Sequence, residues 1–343
     1  MTTPGLPRLL DPRPLSGRDV RATFDALTAA TSDDTDRAAL LLALRARGDR
    51  PEEVTAFARE MRHRAIRFPV PRSDHAIDLC GSGGAPRPSF NVSTVSAFVV
   101  RAAGRRVVKH GNRSRRVCGS SDVLAALGLP VLTSVPYARA SYRRFGIAFL
   151  HAPLFHPATR AVAAVRRRLG IPTIFNRLGP LTNPARVTCQ VTGTVDRSAA
   201  DATATILPHL GVSRGAAMTS EEGCDEFSPR HPTTAVVWNP RGWHRVTVRP
   251  SDHLDADDRR GSWGELPPPA AAEEVERLLA GGGGARRGSV LLTSGAALWV
   301  AGDAPSLAAG VAAARTALDS GDAERLLGQL RALASSFPQS QEV

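Results

Sequence analysis

The sequence predicts an α/β fold in which a small helical domain is joined to a larger, mostly parallel α/β domain. Three observations support this prediction: the first 70 residues show helical patterns only, short apolar strands alternate with helical stretches from Ala76 onward, and the chain from Val290 to Leu333 is again largely helical. Alternating strands and helices are typical of βαβ units, whose strands are parallel. At 343 residues the chain is long enough for two domains with buried cores.

Three helices are predicted in the N-terminal part. Ser16 is a suitable N-cap for the first helix, because its hydroxyl can accept a hydrogen bond from the first turn. The second helix covers Ala38–Arg47 and ends at Gly48, and Pro51 opens the third. The sequence FPVPR, residues 68–72, interrupts the helical pattern and is interpreted as a linker.

The central part of the chain is predicted to supply the sheet. The expected parallel strands are Ala76–Cys80, Arg106–His110, Ile147–Ala152, Thr188–Val195 and Ala216–Thr219. The helical stretches between them are Val92–Ala103, Ser121–Leu127, Pro157–Leu169 and Ala199–Leu207. Thr233–Trp238 and Trp243–Val248 are joined by the turn sequence NPRG, which predicts an antiparallel pair.

Composition predicts a soluble cytoplasmic protein without a membrane partner. No apolar run reaches the roughly 20 residues that a membrane span needs, and the first residues lack the apolar core and cleavage site of a signal peptide. The four cysteines, Cys80, Cys118, Cys189 and Cys224, are far apart and form no CxxC pair. This spacing fits neither a disulfide framework nor a zinc site, so we expect free thiols.

The net charge of +12 raises the question of nucleic-acid binding. The arginines, however, occur as scattered pairs and one triplet, Arg166–Arg168, without a basic tail or interleaved aromatic residues. We therefore do not expect nucleic acid as a partner. A small polyphosphate ligand also requires positive potential, but in a single cleft.

One basic residue differs from all the others. Lys109, in the sequence VVKHGNRS, is the only lysine among 44 lysine and arginine residues. Lysine carries a compact ammonium group on a flexible chain, whereas arginine carries a planar guanidinium group. Its retention in so arginine-rich a chain indicates a site that needs the ammonium, although chance survival is the alternative.

The sequence GSGGAPRPSFNVST, residues 81–94, follows the first predicted strand and precedes a predicted helix. Glycines between a strand and a helix N-terminus let backbone N–H groups approach a phosphate, and the helix dipole favours the anion. The loop has neither the GK[ST] of a P-loop nor the GxGxxG of a dinucleotide fold, so a plain tight turn remains an alternative. Asn91, Ser93 and Thr94 add side-chain donors, although helix capping would also explain them.

Four further stretches accompany this loop: VVKHGNRS, GSSDVLAALG, FLHAPLFHPATRAVAAVRRRLGIPTIFNRLGPLTNP and DEFSP. Together with the loop they resemble the anthranilate phosphoribosyltransferase family, and the resemblance covers almost the whole chain. It implies a fold of the nucleoside phosphorylase/phosphoribosyltransferase type. The helical domain would comprise residues 1–70, completed by about 154–182. The α/β domain would comprise 71–153 and 183–343 and carry the donor and metal site. The family also implies a homodimer.

The resemblance assigns residues to three groups. The donor, phosphoribosyl pyrophosphate, would be bound by Gly81, Ser82, Gly83, Gly84, Asn91, Ser93, Thr94 and Lys109. The small aromatic acceptor would be bound by His110, Asn112, His156, Arg166 and Gly179. Mg²⁺ would be held by Asp225, Glu226 and Ser93. Without the resemblance, an Asp-Glu pair is more often a solvated turn, Arg166 a surface residue and each histidine a structural one.

The implied reaction transfers the phosphoribosyl group to an aromatic amine or acid, first of all anthranilate in tryptophan biosynthesis, and releases pyrophosphate. Several positions depart from the family. The loop has Ala85 where an aspartate is usual, Arg115 and Arg116 stand in a loop that is normally rich in serine, and His151 and Arg177 occupy commonly apolar positions. Two alternatives therefore remain open: a paralogue that acts on another aromatic acceptor, and a non-catalytic relative that binds nucleic acid.

Overall fold

The structure, a computed structural model, describes residues 3, 5–48, 50–82, 84–87, 89–113 and 117–337. Gly83, Arg115 and Arg116 lie outside the described residues. The chain begins with four helices: α1 (Leu6–Leu10), α2 (Gly17–Thr28), α3 (Asp34–Arg47) and α4 (Pro51–Arg64).

The predicted ends of these helices are largely confirmed. Ser16 caps α2 in a capping box with Asp19, and Pro51 is the first residue of α4. Gly48 ends α3 with a φ of 83°, in the left-handed region that favours glycine. The helix begins four residues before the predicted Ala38 because the Asp33 carboxylate accepts a hydrogen bond from the backbone N–H of Asp36 and caps an earlier first turn.

A seven-stranded sheet forms the centre of the molecule, in the order β3-β2-β1-β4-β5-β6-β7. The strands are β1 (Ile77–Cys80), β2 (Val107–Gly111), β3 (Ile147–His151), β4 (Cys189–Gly193), β5 (Arg214–Ser220), β6 (Thr233–Asn239) and β7 (Gly242–Val248). From β3 to β5 all neighbours are parallel, whereas β6 pairs antiparallel with both β5 and β7. The predictions of a mostly parallel sheet and of the antiparallel pair β6–β7 are thus confirmed, and the pairing of β5 with β6 adds a second antiparallel contact.

Helices cover both faces of the sheet. They are α5 (Val92–Ala102), α6 (Ser120–Ala126), α7 (Val135–Phe145), α8 (Ala152–Phe155), α9 (Arg160–Leu169), α10 (Ile174–Leu178), α11 (Arg197–His209), α12 (Pro268–Leu279), α13 (Ala285–Ala301), α14 (Leu307–Asp319) and α15 (Asp322–Ala334). The sequence interpretation missed α7, although Ser134 caps its first turn and Gly146 ends it in the left-handed conformation. Among the described residues, no helix is both long enough and apolar enough to cross a membrane. The four cysteines are buried and free, as expected.

Two large apolar clusters hold these layers together. One joins the sheet residues Ile77, Leu79 and Val191 to α5 and to the C-terminal helices α12 to α15. The other joins α2, α3 and α4 to α9, α10 and α11 and reaches the sheet through Ala217 and Trp238. The segment after β3 therefore packs with the N-terminal helices. The limits of the two proposed domains stay a prediction.

The contact between α13 and α14 depends on two glycines. A Cβ atom on Gly310 would lie 2.2 Å from the backbone oxygen of Gly295, and a Cβ atom on Gly295 would lie 2.6 Å from the backbone nitrogen of Val311. Both distances are far below a van der Waals contact, so the two helices approach as closely as they do only because these side chains are absent.

We expect Gly310→Ala to lower the free energy of unfolding by about 1–3 kcal/mol, because the added methyl forces α13 and α14 apart. Gly328→Ala in α15 is the matched control, since a Cβ atom there meets no other atom within 4 Å. That change should leave stability unaltered or raise it by about 0.5–1 kcal/mol. Urea unfolding of both variants measures the difference, and equal midpoints would contradict the close-packing argument.

Candidate active site

The predicted site residues gather at the carboxyl ends of β1, β2 and β4. Strand order reverses between β1 and β4, and ligands of open α/β sheets bind in the crevice at such a reversal. Gly81 follows β1, Gly193 ends β4, and the loop that carries Asp225 lies across both ends. A Cβ atom on Gly193 would lie 1.7 Å from the backbone oxygen of Asp225, so this loop can occupy its place only above a glycine.

The glycine loop is fastened to this acidic loop by hydrogen bonds. The backbone N–H and the hydroxyl of Ser82 both donate to Oδ2 of Asp225, at 2.6 and 2.8 Å. The backbone N–H of Gly84 donates to Oγ of Ser82 at 3.1 Å. The N–H groups of Ser82 and Gly84 thus hold the loop in place, at a strand-to-helix turn of the kind that binds phosphate. The described contacts of the loop do not include Gly83.

Lys109 lies under the loop with 3% of its surface exposed. Its ammonium donates to the Leu79 carbonyl at 2.5 Å and to Oγ of Ser93 at 3.0 Å. Ser93 belongs to the first turn of α5, and its backbone N–H donates to Oε1 of Glu226 at 3.3 Å. The structure therefore brings together the lysine, the helix N-terminus and one of the two acids.

Asp225 and Glu226 are both buried, at 8% and 4% exposure, which is unusual for adjacent acids in a turn. Burial raises the pKa of Glu226 to about 8, and the neighbouring negative charge of Asp225 acts in the same direction. Oε2 of Glu226 has no hydrogen-bond partner within the described part of the chain. Two buried carboxylates with one unpartnered oxygen are unfavourable unless a cation lies beside them.

Asp225, Glu226 and Ser93 carry the oxygen ligands that Mg²⁺ prefers. Across the described residues, no group of three or more histidine, cysteine or acidic side chains could hold a metal ion. A pair of carboxylates with Ser93 beside them leaves several coordination positions to other ligands. Mg²⁺ is characteristically bound in this way, through one or two carboxylates together with water and substrate phosphate oxygens.

The rings of His110 and His156 are in contact on the acceptor side, with centroids 5.1 Å apart and ring planes tilted by 59°. Burial lowers the pKa of His156 to about 4 and that of His110 well below its usual value, so both rings are neutral at neutral pH. Nε2 of His110 and both ring nitrogens of His156 are without a hydrogen-bond partner among the described residues. The backbone of Gly179 acts on the His110 ring and that of Thr182 on the His156 ring, so both histidines are packed against the segment that carries the predicted Gly179.

Sequence reasoning missed a buried network that positions His110. The carboxylate of Asp78 accepts the backbone N–H of His110 at 3.1 Å and the side-chain amide of Asn183 at 2.8 Å. The same amide of Asn183 donates to the Val108 carbonyl at 2.8 Å. The signal was present in the sequence, because Asp78 is an acid in the middle of a four-residue buried strand.

The other predicted acceptor residues are less closely grouped. Asn112 follows β2 and is exposed, and its backbone oxygen accepts from the N–H of Ser121 at 3.2 Å. Arg166 lies in α9 with its guanidinium 5.3 Å from the Phe175 ring centroid and 3.4 Å from Oδ1 of Asn176. A Cβ atom on Gly179 would meet nothing within 4 Å, so the space beside this glycine is open.

Two other predicted donor residues, Asn91 and Thr94, lie at the start of α5 and differ in their side-chain contacts. The side-chain amide of Asn91 donates to the Cys118 carbonyl at 3.2 Å, and this residue precedes α5 without capping it through its side chain. Thr94 is 1% exposed, and its hydroxyl has no partner within the described residues. The assignment of both residues to the donor stays a prediction.

The structure shows the surroundings of Ala85 and His151, two of the positions that depart from the family pattern. Ala85 is buried, and Arg87, two positions later in the same loop, contacts Glu222, with Nη1 and Oε2 3.4 Å apart. His151 shares a hydrogen bond with Ser121, with Nδ1 and Oγ 2.9 Å apart. Since burial lowers the pKa of His151 to about 4, this histidine is a neutral, buried partner of α6.

Two family models match the chain. The model described as the a/b domain of a glycosyl transferase family matches residues 73–324, and the model described as the helical bundle domain of such a family matches residues 5–65. The two matches together span the helical N-terminal part, the sheet and most of the C-terminal helices.

Curated relatives match over nearly the full chain. The anthranilate phosphoribosyltransferase of Solibacter usitatus is 38% identical over 341 residues, which cover 97% of this chain and 98% of the relative. The anthranilate phosphoribosyltransferase of Natronomonas pharaonis is 39% identical over 295 residues, which cover 85% of this chain and 88% of the relative.

Solved structures agree with this assignment. The crystal structure of anthranilate phosphoribosyltransferase from Thermus thermophilus superposes with a TM-score of 0.87 at 35% identity, covering 96% of this chain and 99% of that one. The Saccharomyces cerevisiae enzyme, solved in complex with PRPP and Mg, has the same fold, with a TM-score of 0.85 at 23% identity and 97% of both chains covered. On these matches, the chain belongs to the anthranilate phosphoribosyltransferase family.

Proposed function

We propose that this protein transfers the phosphoribosyl group of phosphoribosyl pyrophosphate to anthranilate and releases pyrophosphate, with Mg²⁺ as its cofactor. The observation that carries the proposal is the grouping of Lys109, Ser93 and the Asp225–Glu226 pair at the strand-order reversal, beneath a loop of directed N–H groups. Family membership supports the identity of the donor and the acceptor.

In this reaction the anthranilate nitrogen forms a bond to the anomeric carbon of the ribose, the bond from that carbon to pyrophosphate breaks, and the amine loses a proton. Positive charge develops on the sugar and negative charge on the leaving group. The ammonium of Lys109 would stabilise the departing pyrophosphate, and the N–H group of Ser82 would hold Asp225 in position, since groups held in place before the reaction need no reorganisation. Mg²⁺, held by Asp225 and Glu226, would neutralise phosphate charge.

The acceptor side would orient the attacking amine. His110 and His156 are neutral and buried, and their unpartnered nitrogens can meet the polar groups of an aromatic acid. Asp78 would act as a positioning residue, because from β1 it holds the backbone of His110, which follows Lys109 in β2. Fixing donor and acceptor relative to each other supplies much of the acceleration in a direct displacement.

We also propose that the protein works as a homodimer in the cytoplasm, within tryptophan biosynthesis, as its resemblance to the family suggests. A paralogue with another aromatic acceptor would share the donor and metal site described above. The choice between the two rests on the acceptor alone, so a single assay separates them.

The proposal predicts loss of anthranilate fluorescence when the purified protein is mixed with phosphoribosyl pyrophosphate and Mg²⁺. Asp225→Asn should lower the initial rate by about 100-fold or more, because it removes charge at the leaving group. Asp252→Asn, which makes the same change at an exposed acid, should retain the full rate.

The outcomes of this assay are distinct. Donor binding measured by calorimetry without any change in fluorescence would contradict anthranilate as the acceptor and favour the paralogue. Absence of donor binding would contradict the phosphoribosyltransferase itself, and salt-sensitive retention of DNA or RNA would then favour the non-catalytic relative.

Replacement of Lys109 tests the donor site. We expect Lys109→Met to lower kcat/KM for phosphoribosyl pyrophosphate by about 100- to 1000-fold. Lys109→Arg should lower kcat/KM to a similar extent, since the wider guanidinium does not fit between the Leu79 carbonyl and Ser93. Arg106→Met, just before the same strand, is the control. If Lys109→Arg were as active as the natural chain, the need for an ammonium would be refuted.

The histidine pair predicts a loss of stability in acid. The folded-state pKa of His156, about 4, lies below its unfolded value of about 6.5, so between these values the unfolded chain binds more protons and stability falls as pH falls. Between pH 7 and pH 5 the free energy of unfolding should fall by about 2 kcal/mol more in the natural chain than in His156→Gln. Urea unfolding at both pH values measures this, with His231→Gln at an exposed position as the control. Parallel pH profiles for the natural chain and His156→Gln would contradict the neutral, buried ring.

A further inference from the structure

A cleft of about 1050 Å³ lies outside the proposed active site. Its walls come from α2, from the second half of α4 and from the turn after α11, together with Arg72 and Arg186 from the segments that precede β1 and β4. None of the predicted donor, acceptor or metal residues lines it. We call this space the arginine cleft, and its size suits a small organic ligand rather than a single water or ion.

The arginine cleft carries an excess of positive charge. It is lined by two acids, Asp25 and Glu60, and by six arginines: Arg21, Arg59, Arg62, Arg64, Arg72 and Arg186. Both acids are already engaged, because Arg64 contacts Asp25 at 2.6 Å and Glu60 at 3.4 Å, and Arg21 contacts Glu60 at 3.2 Å. Within the described residues, no carboxylate lies at ion-pair distance from any of the other four arginines.

Arg62 is the deepest of these arginines, with 6% of its surface exposed. Its Nε donates to the Leu181 carbonyl at 2.7 Å and its Nη1 to the Leu210 carbonyl at 2.6 Å, while Nη2 has no partner among the described residues. Burial lowers the pKa of this guanidinium to about 10, and the charge of Arg186 acts in the same direction. The carboxylate of Asp78 only partly offsets the cost of burying this cation, and an anion beside Nη2 would lower that cost further.

The backbone conformation of Arg186 is a second indication of a binding site. Arg186 is one of two residues other than glycine with a positive φ in the described part of the chain, at 52°. This left-handed conformation is uncommon for arginine and strains the backbone, and such strain is concentrated at functional sites. Here the strained residue is exposed and lines the same cleft as the buried Arg62.

We propose that the arginine cleft binds a multiply charged oxyanion, the phosphate or pyrophosphate group of a small organic phosphate, at a site separate from the active site. Arginine guanidinium groups match the oxygens of phosphate by paired hydrogen bonds, and Arg59, Arg72 and Arg186 are exposed and have no carboxylate partner among the residues that the structure describes. The inference does not depend on the reaction proposed above, because no residue is shared.

Calorimetric titration with inorganic pyrophosphate in EDTA tests the site, since EDTA removes the metal ion that the proposed donor site requires. We expect one equivalent to bind to the natural chain, and the double variant Arg72→Ser/Arg186→Asn to weaken the affinity at least tenfold. Asparagine tolerates a positive φ, so the backbone at this position is kept. The double variant Arg139→Ser/Arg241→Asn removes the same charge at other exposed positions and should change the affinity less than twofold.

Glu60→Gln supplies a test in the opposite direction. It releases Arg21 and Arg64 from a shared acid, so pyrophosphate should bind several-fold more tightly and raise Tm further than in the natural chain. The proposal is overturned if the natural chain does not bind pyrophosphate in EDTA, if both double variants lose affinity equally, or if Glu60→Gln weakens binding.

Discussion

Burial of the Lys109 ammonium is the constraint on which the strand-end site depends. An ammonium that is 3% exposed needs acceptors, and it finds them in the carbonyl at the end of β1 and in the hydroxyl of Ser93 at the start of α5. Those two contacts fix β1, β2 and α5 relative to one another. They also bring the positive charge close to Glu226. The carboxylate of Glu226 accepts a hydrogen bond from the backbone N–H of Ser93, and this bond holds the acidic loop over the strand ends.

The acceptor side is coupled to the same constraint through Asp78. This carboxylate is buried in β1, next to the strand that carries Lys109, and it holds the backbone of His110 and the side chain of Asn183. Burial raises the pKa of Asp78 to about 6, while the charge of Lys109 opposes that rise and favours the ionised form. The residues predicted to bind the phosphoribosyl donor and those predicted to bind the aromatic acceptor therefore share one buried electrostatic network, which fixes the distance between the two sets of residues.

The sequence predicted those features that local chemistry determines. Ser16 and Pro51 mark helix starts through their own backbone preferences, and the glycine loop needs no distant partner to be recognised. Asn183, by contrast, acts through a carboxylate 105 positions away in the chain, and only the parallel pairing of β1 with β2 and β4 brings them together. His151 shows the same limit, because its partner Ser121 lies 30 positions away in the chain and is identified only by the fold.

The large net charge shows why composition alone could not locate function. Lys109 marks one place where positive charge is required, yet most of the charge of this chain is carried by arginine. The fold brings six of these arginines, from separate segments of the chain, to one cleft that contains only two acids. Repulsion among them lowers stability, and a bound anion would relieve it, which is the physical basis of the site proposed above. Arginines that are scattered in the sequence thus belong to a shared surface in the structure.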